Sequence, residues 1–289
     1  MKILSYCFFT PLQLPSHRSW DEYKNDIERY YYNIPTVILM NRILYPDYKT
    51  RVYITDNTQG QPLMDVFNKL EGDNLEIVIV DMEYKLTEPS ILRMMPLWEE
   101  ESIDIFHTRD IDSIPTEIEY RYTRAFENHF CGLGTLRTHQ NHYGHGCKML
   151  AGLSSFKPSL VPEYIKGISF QSYYDSGHKN YGCDQDLMIK TFTTNSVFTM
   201  TNFYDCKAYR QSNSQDFPCI SCSQEELDGI IIEPDQLELF SMIKKCGFDN
   251  WAGEPIDIRG EFSNFILSKF PDIKSNIESN PLLKDFYRL

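Results

Sequence analysis

The stretch SIDIFHTRDIDSIP, residues 102–115, sets two carboxylates one residue apart behind a short apolar run: Asp110 and Asp112, with Arg109 just before them. Carboxylates this close repel each other unless something positive lies nearby. From the residues alone two answers stay open. Either Arg109 pairs with one of them at a solvated turn or helix cap, or both serve a hard divalent cation, Mg2+ or Mn2+, which binds through oxygen. A cation that also touched a diphosphate would neutralise the charge on a leaving group. That chemistry suits transfer of a sugar from a nucleotide sugar. A second candidate group is THQNHYGHG, with His139, His142 and His145 three apart. Zinc wants four convergent ligands, and a segment between two strands splays its side chains, so these histidines read better as polar groups lining a site. Cys219 and Cys222 have zinc-knuckle spacing, but no second such pair follows.

The elements that must carry the acidic pair follow from the hydrophobic period. KILSYCFFT reads as a strand, and residues 22–45 repeat apolar positions at threes and fours, the mark of a helix. TRVYITDN and LEIVIVDM are strands on either side of a short helix, QPLMDVFNKLEG. EPSILRMMPLWEE reads as a short helix, and SIDIFHTRD as a strand that ends at the acidic pair. TEIEYRYTRAFENH is a helix capped by Thr116, with Glu119 three residues on. GTLRTHQN and CKMLAGLSSFK are two further strands, the second with Ala151 and Gly152 at its middle. A glycine inside a strand marks a bulge, tight packing or the close approach of a ligand. Alternating strands and helices predict an α/β fold with a mostly parallel central sheet flanked by helices. Ligands of such sheets sit at the carboxyl ends of the strands, where Asp110 and Asp112 stand.

The 289 residues allow one large domain or one domain with an appendage. The division expected is a core over 1–210 and a mostly helical extension over 211–289 that packs on it. A net charge of -13 argues against a broad basic surface for nucleic acid or anionic membrane, although Lys157, Lys166, Lys179, Lys207 and Arg210 can still form a local basic groove. No run of about 18 apolar residues predicts a membrane span. The opening segment reads as a first strand rather than a signal peptide. Eight scattered cysteines in a chain of this length read as reduced thiols of a cytoplasmic protein.

The segment ILRMMPLWEEESIDIFHTRDIDSIP resembles the core of GT-A-fold glycosyltransferases, in which a helix bearing an arginine precedes a strand ending in a DxD motif. Arg93 matches that arginine, and Asp110 and Asp112 match the motif. The order RDIDS, LRTHQNH, KMLAGLSSFK is similar to a set of phage, viral and bacterial glycosyltransferase-like proteins. YGCDQDLM, residues 181–188, looks like the Asp-Gln motif of the glycogenin-like retaining family. The resemblance covers roughly residues 1–210. It departs where that family has a late histidine: NWAGEPID keeps Gly253 and Pro255 but no histidine follows His178. Asp205 is therefore the candidate for a third metal ligand.

What the resemblance implies is a donor bound by the first half of the chain. The loop Thr10–Trp20 would face the base, and Tyr6 and Phe8 would either stack on it or pack in the core. Arg93 would reach a phosphate or carboxylate as a planar fork, or else form a surface salt bridge. Asp112 is the better candidate for metal contact, and Asp110 for ribose or a water-mediated contact. Arg109 joins the donor-binding set. A sugar ring would lie against Ala151 and Gly152. Asp184 would bind sugar hydroxyls and act in catalysis, with Gln185 on the transition-state face; Asp186 would line the site or cap the helix. Arg137 and His139 would contact phosphate, sugar or acceptor. The implied activity is a metal-dependent glycosyltransferase with a nucleotide-sugar donor of UDP type, possible retention of configuration, and a glycan or a hydroxymethylated base of phage DNA as acceptor. Two other classes fit less of the pattern: a metal-dependent nucleotidyltransferase or phosphohydrolase, and a non-catalytic carbohydrate-binding protein. The sequence fixes no oligomeric state.

Overall fold

The computed structural model describes residues 1–9, 20–56, 67–70, 72–84, 87–99, 102–137, 149–177, 182–193, 200–205 and 219–220, with single positions 64, 241 and 268. Of the expected C-terminal extension over 211–289 only 219–220, 241 and 268 are among them, and Cys219–Ile220 joins the core sheet; the boundary at 210, the loop before Trp20, and His139, His142 and His145 lie outside these residues. So do Cys206, Cys222, Cys246, Lys179, Lys207 and Arg210.

Eight strands form one sheet in the order β3-β2-β1-β4-β6-β5-β7-β8. They are β1 (Lys2–Phe8), β2 (Lys49–Thr55), β3 (Leu75–Val80), β4 (Ile105–Arg109), β5 (Leu133–Arg137), β6 (Leu153–Phe156), β7 (Met200–Asp205) and β8 (Cys219–Ile220). Strand β6 alone runs antiparallel, to β4 on one side and β5 on the other; the other pairings are parallel. The α/β architecture with a mostly parallel sheet is thus as the sequence predicts. The described helices include α1 (Trp20–Leu44), a 3-10 helix (Glu88–Leu97), α2 (Glu117–Glu127), two short turns α3 (Glu163–Lys166) and α4 (Phe170–Asp175), and α5 (Cys183–Met188).

Helices cover both faces of the sheet, and strand alternation sorts the side chains between them. On β1, Ile3 packs with Met94 and Leu97 of the 3-10 helix, and Ser5 Oγ donates to the Arg93 carbonyl at 2.7 Å. Tyr6 turns the other way, its hydroxyl beside Asn41 Oδ1 of α1 at 3.3 Å. The same alternation runs through β4. Phe106 joins the cluster under the 3-10 helix, while Ile105 joins Tyr122 and Phe126 of α2. Helix α2 starts as its sequence predicts: Thr116 Oγ1 accepts from the Glu119 amide at 3.4 Å.

Two elements differ from expectation. The segment over 88–97 winds as a 3-10 helix with Pro89 in its first turn and Pro96 next to its end. Strand β6 begins only at Leu153, because the Leu153 amide closes a turn onto the Leu150 carbonyl at 3.1 Å. Ala151 and Gly152 are therefore turn residues at the head of β6 and not mid-strand.

Candidate functional site

At the carboxyl end of β1 and β4, one guanidinium gathers side chains from three other parts of the chain. Arg93 is buried under the sheet rim. Its Nε donates to the Ser90 carbonyl at 2.9 Å, which fixes the plane of the fork from within its own helix. One terminal nitrogen pairs with Asp110 Oδ1, and the other lies 3.3 Å from Asp184 Oδ2. Cys7, the penultimate residue of β1, completes the group: its thiol donates to the Ser90 carbonyl at 3.5 Å and sits within the field of Arg93.

Burial opposes the charge on Arg93, but the Asp110, Cys7 and Asp184 groups outweigh it and hold its pKa well above the ordinary value. The guanidinium is therefore a permanent cation. Burial also pushes the Cys7 thiol up to about 11, against the pull of Arg93, so it stays protonated. The Asp110 side chain is 38% exposed and is the part of this centre that opens to solvent, whereas Asp184 is 9% exposed. Among the described residues the centre holds two carboxylates against one cation.

Each predicted residue now has a place. Arg93, Asp110 and Asp184 converge, although 74 residues separate the two aspartates. Arg93 does not offer a free fork to a phosphate; its nitrogens are engaged by the chain's own carboxylates. Arg109 goes elsewhere, because adjacent residues of a strand face opposite sides. It is buried against Glu119 of α2, and its Nη2 donates to Thr123 Oγ1 at 2.9 Å. It is thus a core ion pair rather than a donor contact. Tyr6 and Phe8 are buried in β1 and present no open face for a base. Asp112 stands on the turn after β4, partly exposed. That turn is tied down twice: Asn33 Nδ2 of α1 donates to the Asp112 carbonyl at 2.7 Å, and Ser113 Oγ donates to the Asp110 carbonyl at 3.1 Å.

Helix α5 starts from Gly182 in the left-handed region, φ 80°, where a side chain would be strained. Asp184 and Gln185 fall in its first turn, Asp184 buried toward Arg93 and Gln185 half-buried. Asp186 is exposed within that turn and does not cap the helix; the cap position belongs to Gly182. Arg137 ends β5 and Asp205 ends β7; the described part of each is its backbone. Strands β6 and β5 stand between β4 and β7. Three strand spacings, roughly 14 Å, exceed what one cation can bridge from Asp110 to Asp205. Asp205 is therefore not the third ligand beside Asp110. Among the described residues no group of three His, Cys, Asp or Glu side chains is set to hold a metal.

Sequence reasoning passed over Cys7, Ser90 and Asn33. The contacts of Cys7 and Asn33 span 83 and 79 residues, and all three act through a backbone carbonyl. The signal for Cys7 was the period of β1, which puts it on the Ser5 face one step nearer the carboxyl end.

No protein-family model matches the chain, and no curated protein matches its sequence. Among solved structures, it is similar to an active-site mutant of LgtC at 12% identity, over 75% of this chain and 80% of the other, with a TM-score of 0.45. A mannosyltransferase from Pyrobaculum calidifontis in complex with GDP-Man and Mn2+ aligns at 11% identity over 69% of this chain and 53% of the other, TM-score 0.42. A 4-diphosphocytidyl-2C-methyl-D-erythritol synthase from Anaerococcus prevotii aligns at 12% identity over 70% and 87%, TM-score 0.39. With each of these scores below 0.5, the fold of this chain rests on its own strand order and its chemistry on its own side chains.

Proposed function

We propose that the chain is a metal-dependent glycosyltransferase that moves a sugar from a nucleotide sugar, of UDP type, to an acceptor hydroxyl. One observation carries this reading. A single buried guanidinium holds the carboxylate that ends β4 and the carboxylate that opens α5, and it does so at the carboxyl rim of a mostly parallel sheet.

The arrangement has hydrogen-bond acceptors facing outward and its positive charge spent inward. An uncharged polyhydroxylated ring suits that surface better than a bare anion does, because its hydroxyls donate to carboxylate oxygen. A diphosphate needs positive charge from another source. Asp110 and Asp112, on one pinned turn, offer the oxygen donors that a hard cation takes. Asp110 and Asp112 would hold Mn2+ or Mg2+ there, and the ion would neutralise charge on the leaving diphosphate. Asp184 accepts from sugar hydroxyls and stabilises positive charge at the anomeric carbon, with Gln185 beside it. In the transfer, the bond from the anomeric carbon to the phosphate oxygen breaks and the diphosphate leaves with the electron pair. The acceptor oxygen bonds to that carbon and passes its proton to the oxygen of the departing diphosphate. The sequence resemblance to the retaining family favours retention of configuration.

The acceptor is a glycan or a hydroxymethylated DNA base. Acceptor binding that weakens steeply with salt marks the base, and indifference to salt marks the glycan. The described part of the chain has no helix long and apolar enough to cross a membrane. The test is a panel of UDP- and GDP-sugars incubated with Mn2+, followed by identification of the released nucleotide. Intact nucleoside diphosphate, released only with metal, supports sugar transfer. Pyrophosphate or monophosphate would assign the centre to nucleotidyl transfer or phosphohydrolysis instead.

A further inference from the structure

The head of β6 contains a position that glycine's freedom of backbone does not explain. Gly182 is the one described residue with positive φ, so Gly152 adopts a backbone conformation open to any residue. What excludes a side chain at Gly152 is steric. A Cβ built there would lie 1.8 Å from Asp110 Oδ2, 2.4 Å from its Cγ and 2.9 Å from its Oδ1. The cause is register. Arg109 pairs with Leu153 across the antiparallel β4–β6 ladder, so Asp110 and Gly152 come next to each other just beyond it, and the carboxylate lies over the glycine's bare Cα.

The turn has little room to yield, whereas Asp110, 38% exposed, yields only by turning its carboxylate out of its pairing with Arg93. The turn beneath the carboxylate is held at three points: the Leu150 amide donates to Thr135 Oγ1 at 3.3 Å, Ser154 Oγ donates to the Leu150 carbonyl at 2.7 Å, and the Leu153 amide donates to the same carbonyl at 3.1 Å. Above it, Arg93 binds the carboxylate from the other side. We propose that Gly152 is a positioning residue: its missing side chain leaves the notch in which Asp110 lies, and the notch with Arg93 selects one orientation of that carboxylate. The notch that the sequence suggests for a ligand is filled by Asp110 itself. That Asp110 then serves a sugar donor rests on the function proposed above; the steric coupling of the two residues does not.

The experiment is a double-variant cycle of Gly152→Ala and Asp110→Ala, read by thermal melting and by Mn2+-dependent release of nucleoside diphosphate from UDP-glucose and GDP-mannose. Asp110→Ala removes all three atoms that the added Cβ would meet. In the parent, Gly152→Ala lowers the melting temperature by roughly 2–10 °C; in the Asp110→Ala background it has little effect. Turnover falls in Gly152→Ala as far as in Asp110→Ala, and no further in the double variant, since both act through one carboxylate. If Gly152→Ala alone fails to fold, recovery of a folded protein in the double variant gives the same answer. An equal thermal penalty in both backgrounds, or a double variant that stays unfolded, overturns the proposal. Absence of turnover in the parent would count against the proposed function and leave the thermal cycle to decide the role of Gly152.

Discussion

The two ends of the sheet handle charge differently. At the amino end, Lys2 and Arg124 face Asp47 and Glu127, and each cation reaches both acids at 2.7–3.0 Å. Tyr48 links this group to buried His107, whose other ring nitrogen lies 2.5 Å from Ser155 Oγ. Two positive charges meet two negative ones, and the network closes on itself. At the carboxyl end, Arg93 is the one cation among the described residues against Asp110 and Asp184, and Asp110 opens to solvent. A balanced network is a way to hold strands and helices together. An unbalanced one, with its exposed member an anion, has capacity left for a cation or for hydroxyl donors.

The contrast can be broken most severely at Arg93. Arg93→Ala leaves Asp184 buried without its partner, so urea melts should show a loss of about 3–5 kcal/mol. Donor turnover should fall by at least ~10³-fold, since both carboxylates lose their orientation. Next comes Asp184→Asn, which keeps the shape and removes one charge. Donor affinity, read by calorimetry with Mn2+, should hold, while transfer slows by about 10²-fold. A third variant compares the buried pair on the opposite face. Arg109→Met alone should cost about 3–5 kcal/mol in the same melts, and Arg109→Met with Glu119→Leu should recover most of it, because a buried ion pair can be replaced by packed apolar groups. No such exchange should restore turnover at Arg93.

The amino end should respond to pH rather than to donor. Burial first, and then Arg109, Arg124 and Lys2, hold the His107 pKa well below its usual value. The folded protein keeps this imidazole neutral, while the unfolded chain takes up a proton as pH falls through about 6.5. Stability should therefore decline below that pH by up to about 1.4 kcal/mol per unit, and His107→Gln should flatten the slope. The smallest effect is expected from Lys2→Met. Its ion pairs are partly exposed, so stability should change by no more than about 1 kcal/mol and turnover should not change.

The sequence made much of this legible, and the rest failed for a common reason. The β-branched runs marked β1 to β4, and the Thr116–Glu119 spacing marked the start of α2. The apolar run before Asp110 located the strand end, and the motif order brought Arg93 and Asp184 into view. Which face a residue takes needed more. Arg109 and Asp110 look like one charged cluster, yet the two-residue period sends one to Glu119 and the other to Arg93. Glu119 itself reads as half of a capping box; its amide takes that part, and its carboxylate goes to Arg109. The glycine of LAGLSS reads as a strand interruption. Its reason is a carboxylate 42 residues away, brought over it by a register that no local pattern encodes.

The central claim is that Asp110 and Asp112 hold a cation through which the carboxyl end grips a nucleotide sugar. Thermal melting of the parent and of Asp112→Asn, with UDP- and GDP-sugars in the presence and absence of Mn2+, tests it most directly, since a ligand that binds the folded state raises the melting temperature. The prediction is a rise for the parent that requires both metal and donor and that disappears in Asp112→Asn. An equal rise in the two proteins, or none in the parent with any donor, would contradict it.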